Sequence, residues 1–131
     1  MTRDFKSNFS IAYLVNLASQ NDNTALAATL TRANANDVDT IALLLGSVAD
    51  ADVTFTATFT ESDDNSNYTA VNARDYSGTL TGIQFDDDNT IHTFSYWGNK
   101  KYVRLTVTPA NNTGNITWGA ISITGVGRVQ P

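Results

Sequence analysis

The side chains able to do chemistry are few: one histidine, His92, two carboxylate runs, Asp63-Asp64 and Asp86-Asp87-Asp88, and a scatter of aromatics. A Ser-His-Asp triad or a histidine-based metal centre would rest on His92 alone, inside a predicted strand, so a structural role is expected of it. Calcium takes hard oxygens of the kind the two acidic runs offer. Neither run has the spaced ligands, glycine and closing glutamate of an EF-hand loop, so Asp63, Asp64, Asp86, Asp87 and Asp88 read as solvated turns and only weak metal candidates. Paired carboxylates also serve glycoside hydrolysis, which requires them to face each other across a cleft. No catalytic residue, metal or cofactor is expected, and the chain reads as a non-enzyme.

Two other groups could bind rather than react. Tyr96, Trp97, Tyr102 and Trp118 could form an aromatic platform for a sugar, with Trp97 and Trp118 as its main members, or could be ordinary strand packing. Lys100, Lys101 and Arg104 are the one basic cluster. In an acidic chain they suit docking on an acidic protein surface better than binding nucleic acid. Gly125-Val126-Gly127 lacks the helix and lysine of a phosphate loop.

The elements that must position these residues are strands. Val53, Phe55, Ala57 and Phe59 alternate with Thr54, Thr56, Thr58 and Thr60, which predicts a half-buried strand. Glu61 to Asn67 then form a polar turn, and Tyr68 to Val71 resume the pattern as a hairpin with an acidic tip. Phe9 to Leu17 alternates too, with an amphipathic helix as the competing reading, and Thr24 to Thr31 is equally open between strand and short helix. Val38 to Leu45 is nearly unbroken apolar sequence, suited to a strand covered on both faces or lying along a subunit contact.

Further on, Thr79 to Phe85 reads as a short edge strand and Thr90 to Tyr96 as another strand. Trp97 to Lys100 reads as a tight hairpin turn leading into a strand over Lys101 to Thr108, which Pro109 ends. Ile116 to Thr124 is the last strand. About eight or nine short strands without a convincing long helix predict an all-β fold, an antiparallel β-sandwich of jelly-roll type. At 131 residues the chain is one domain, with residues 1–8 as an N-terminal arm and 9–131 as the sandwich.

A formal charge of −5 opposes unaided attraction to nucleic acid or an anionic membrane. With no cysteine there is neither a disulfide framework nor a thiolate metal site. Neither a secretory signal nor a bilayer-spanning apolar run is read in the sequence, so synthesis and folding in the cytoplasm are expected.

Several segments together resemble small virion proteins of tailed bacteriophages. They are Asp4-Phe5-Lys6-Ser7, Val38-Asp39-Thr40, Glu61-Ser62-Asp63-Asp64 followed by Tyr68-Thr69-Ala70-Val71, and Asp75-Tyr76-Ser77-Gly78. The longest is Tyr96-Trp97-Gly98-Asn99-Lys100-Lys101-Tyr102-Val103-Arg104, with Gly119-Ala120, Gly125 and Pro131 closing the series. The resemblance implies a head decoration or cement protein on the virion capsid surface, made in the host bacterial cytoplasm. Its implied partners are the major capsid protein and further copies of itself, with a trimer favoured and neither nucleic acid nor membrane involved.

On that reading, self-association is expected on Val38, Ile41, Leu43, Leu44 and Leu45. Capsid docking is expected on the arm, through Arg3, Asp4, Phe5 and Lys6, or on Lys100, Lys101 and Arg104. A tail or head-tail connector component, and a carbohydrate-binding module on the virion surface, are the alternatives.

Overall fold

Strict alternation from Val53 to Thr60 is satisfied when one set of side chains is buried and the other wetted. The computed structural model, which describes residues 9–33 and 37–125, puts this stretch in the interior of one of two sheets. Numbered along the chain, the strands are β1 (Phe9–Gln20), β2 (Leu26–Thr31), β3 (Asp39–Val48), β4 (Thr54–Ser62) and β5 (Thr69–Ala70), then β6 (Tyr76–Ser77), β7 (Thr90–Tyr96), β8 (Tyr102–Ala110) and β9 (Ile116–Gly125). One sheet runs β1-β9-β3-β7-β6 and the other β2-β8-β4-β5. All pairings are antiparallel. Without the two-residue β6, this is the strand order of a jelly roll. The segments at Phe9 to Leu17 and Thr24 to Thr31, open between helix and strand, are both strands.

The core lies between the sheets. Phe55 of β4 meets Trp118 of β9 with ring centroids 5.6 Å apart, and Phe59 meets Phe94 of β7 at 6.0 Å and Tyr76 of β6 at 5.4 Å. Leu43, Val103, Leu105 and Val107 are fully buried. Such tilted ring pairs add stabilisation beyond the area they hide.

Four expectations need correction. Ile41, Leu43 and Leu45 were expected to mediate self-association, but β3 is the middle strand of its sheet and points all three into the core. Only Val38 and Leu44 of that set face outward or lie part-exposed. Trp97 to Lys100 is not a hairpin turn, because β7 and β8 belong to different sheets; the segment is a corner that carries the chain across the sandwich. Thr79 to Phe85 forms no edge strand. It makes a single bridge, Thr54 to Gln84, before a 3₁₀ turn at Phe85–Asp87.

Pro109 does not end β8. It pairs with Phe55, beyond the last β2 partner of β8, where a missing N–H interrupts only an unoccupied side. Before β7, Gly78 sits at φ 129°, and a Cβ there would lie 2.5 Å from Phe94 Cδ1, so the bend requires glycine. The expected arm at residues 1–8 lies outside the described residues.

The two faces of β4 give a direct test. Phe59→Ala should lower unfolding free energy by about 3–5 kcal/mol, whereas Thr58→Ala should change it by less than about 1 kcal/mol, as read from urea unfolding.

Candidate functional site

Arg32 follows β2 and Asp39 opens β3, so the connection between the sheets begins and ends with opposite charges. Both side chains are buried, and Arg32 Nε donates to Asp39 Oδ2 at 2.9 Å. The same guanidinium donates through Nη1 to the carbonyls of Gly98 at 2.8 Å and Lys100 at 2.9 Å, and through Nη2 to the carbonyl of Asp37. The Arg32 backbone N–H donates to the Lys101 carbonyl at 2.8 Å. A charge in this setting holds only when its donors are matched, and here they are aimed at the carbonyls of the β7–β8 corner.

Tyr96 braces the corner from inside. Its ring lies under the Arg32 guanidinium, 4.7 Å from centroid to Cζ, while its hydroxyl donates to Glu61 Oε1 at 2.6 Å and accepts from the Lys100 N–H at 3.1 Å. Burial, and then the Glu61 carboxylate, hold the phenol well above its ordinary pKa, so it stays a donor. A Cβ at Gly98 would collide with the Tyr96 ring.

From the side, Trp97 donates through its backbone N–H to the Asp75 carbonyl at 2.9 Å and through Nε1 to the Arg74 carbonyl at 2.7 Å. Lys100 Nζ pairs with Asp63 Oδ2 at 2.8 Å, which raises the lysine pKa.

What this frame presents outward is apolar and cationic. Trp97 remains 44% exposed and Lys101 is exposed. The register pairs Asp39 with Tyr96, so Val38, at 57% exposure, and Trp97 each stand one residue beyond that pair at the same tip. An exposed indole fixed at its nitrogen and its backbone is equipped for contact with another surface.

The remaining contacts of the basic and aromatic candidates lie away from the Trp97 indole. Arg104 is on the outer face of the second sheet, with Nε 2.9 Å from Thr29 Oγ1 and its guanidinium 4.0 Å over the Tyr68 ring; Lys101 lies 5.6 Å over the Tyr102 ring. Lys101 and Arg104 thus lean on aromatic rings at the outward side of β8, while Lys100 is tied to Asp63. Trp118 cannot join a sugar platform with Trp97, because it is buried against Phe55 and donates to Gln20 Oε1 at 2.9 Å. Arg3, Asp4, Phe5 and Lys6 lie outside the described residues.

The acidic runs close their own turns. Asp64 accepts from the backbone N–H groups of Ser66 and Asn67, each at 2.9 Å, and from Asn67 Nδ2 at 2.8 Å. Asp87 accepts from the Gln84 N–H at 2.8 Å. Among the described residues, no three or more His, Cys, Asp or Glu side chains gather as a metal-ligand group. His92 lies half-buried, with Nε2 2.8 Å from Thr90 Oγ1.

Sequence reasoning missed Arg32 and Asp39. The available signal was a charged residue directly after one apolar strand and its opposite directly before the next.

No family model and no curated protein matches the chain. Among solved structures it is similar to the Clostridium thermocellum endo-1,4-beta-D-xylanase 10B, a structure of CBM22-1 and GH10 modules complexed with xylohexaose. The identity is 11% and the TM-score 0.41, over 94% of this chain and 27% of that one. This chain therefore spans well under two thirds of that chain's length.

Removing one partner of the buried pair leaves the other uncompensated. Arg32→Met should lower stability by about 3–5 kcal/mol, and adding Asp39→Leu should recover much of that loss, as measured by denaturant unfolding of both variants.

Asp64 gives a pH signature. Backbone donors from Asn67 and Ser66 hold its folded pKa well below the ordinary 3.8. Its stabilisation is therefore complete above that value and is lost as pH falls toward the folded pKa. The melting-temperature gap between the parent and Asp64→Asn should narrow steadily below about pH 4.

Proposed function

We propose that the protein is a non-enzymatic structural component of a tailed bacteriophage that attaches to the assembled capsid and stabilises it. The β7–β8 corner is its docking tip, and the major capsid protein is its partner. The observation that supports this reading is how the tip is built. Buried Arg32, Tyr96 and the Arg74 and Asp75 carbonyls fix the backbone and Trp97 indole before any partner arrives, while Trp97, Val38 and Lys101 face out.

Preorganisation of this kind removes an ordering penalty from binding, and tryptophan is the residue most often found at the energetic centre of a contact. The corner also lies within the longest segment of the resemblance, Tyr96 to Arg104. A decoration protein gains further from repetition, since many identical modest contacts on a closed shell add up to firm attachment.

Quantitative mass spectrometry of gradient-purified particles should find one copy for every one to a few capsid subunits. A handful of copies per particle would assign the protein to the tail or connector, and absence would remove the virion reading. In co-sedimentation with undecorated capsids, Trp97→Ala should weaken attachment by about tenfold or more. Lys101→Glu should weaken it further at low salt than at high salt.

A further inference from the structure

The two outer faces of this sandwich are made of different materials. On the β2-β8-β4 sheet, the outward positions include Thr29, Thr56, Thr58, Thr106 and Thr108, the polar surface expected of an antiparallel sheet facing water. On the other sheet, the register sets Ile11 beside Ile123 and Tyr13 beside Ile121, and then Ile121 beside Ala42. Farther along the same face, Leu44 lies beside Ile91.

Tyr13 and Ile91 are 58% and 66% exposed. Thr40, Ser95 and Thr93 add hydroxyls to the β3–β7 part of this face, with Thr40 and Ser95 hydrogen-bonded to each other at 2.8 Å. The face is thus uncharged and richer in large apolar side chains than the other outer face, a composition closer to that of sheets covered on both faces. Among the described residues, the strands supply no charged side chain to this outer face; Asp39 of β3 is on the inner side and buried.

We infer that this face is the contact between two copies of the chain, packed sheet on sheet across a two-fold axis. Two arguments favour a second copy as the occupant. The first is size. Four strands about 4.8 Å apart and about 30 Å long present roughly 600 Å² in projection, and more as accessible surface. That is comparable with the roughly 800 Å² per partner of a stable dimer.

The second is charge. Each copy carries −5, so two copies approach most readily through a surface without acidic groups. A basic partner would find no carboxylate here to pair with. An isologous contact needs only a patch complementary to itself, and the isoleucines, Leu44 and Tyr13 of this face can interdigitate at the usual spacing of about 10 Å between sheets, with the paired Thr40 and Ser95 hydroxyls already satisfied by each other. This contact is separate from the docking tip and does not depend on where the protein acts.

Sedimentation velocity at micromolar concentration should give twice the 14.1 kDa chain mass for the parent. Tyr13→Lys combined with Ile91→Lys should give monomer, with the dissociation constant raised at least about a hundredfold. Thr56→Lys combined with Thr108→Lys, on the other outer face, should remain dimeric.

Because the chain has no cysteine, a single thiol reports without background. Ile91→Cys should react with maleimide slowly at high protein concentration and fast on dilution, whereas Thr56→Cys should react at one rate throughout. If the lysine pair unfolds the chain, the thiol rates decide. A monomeric parent, an oligomer that survives the lysines in a folded chain, or concentration-independent labelling of Ile91→Cys would overturn the inference.

Discussion

Burying an arginine is tolerable only if its partners are in place, and Arg32 draws those partners from two separate parts of the chain. Its carboxylate comes from the start of β3, and its carbonyl acceptors come from the β7–β8 corner and from Asp37. A buried ion pair need not contribute much net stability over apolar residues of the same shape. What this pair does is specify. The ends of β2 and β3 and the crossing from one sheet to the other must all be correctly placed for the charge to be satisfied, and the corner inherits a fixed backbone.

That fixed backbone separates the molecule into regions with different physical jobs. The space between the sheets holds the aromatic stack of Phe55, Phe59, Phe94 and Trp118. The threonine face is at ease in water, the isoleucine face is not, and the corner carries an indole held at both its nitrogen and its backbone. The jelly-roll order alone assigns no function, since the same fold serves many. Functional argument rests on how these surfaces are composed and held.

The parts legible in the sequence were those set by local alternation. The β4 pattern predicted its faces, and the apolar run at Val38 to Leu45 predicted a strand, which the structure places with one face in the core and the other on the outside of its sheet. Alternation assigns faces and leaves neighbours open. It therefore gave no means of seeing that β7 and β8 lie in different sheets, or that β3 is central and uses Ile41, Leu43 and Leu45 inside. Trp97 and Trp118 looked equivalent as members of a candidate sugar platform; burial behind β4 separates them. Arg32 was invisible as a hub because its partners are 66 and 68 residues away in sequence as well as nearby.

The position of β9 between β1 and β3 also bears on the order of events as the chain is made. Among the described residues, the strand latest in sequence is the one that joins the earliest to the rest of its sheet. Until Ile116 to Gly125 has left the ribosome, β1 lacks its only ladder among the described residues, and β3 has one side unpaired. The long-range closure that results slows folding. It also leaves an uncharged, apolar β1 waiting with open backbone groups, a state in which nascent chains of this protein would pair with one another. Expression temperature and chain crowding would thus act on yield through the late pairing of β9 with β1, whatever the stability of the finished sandwich.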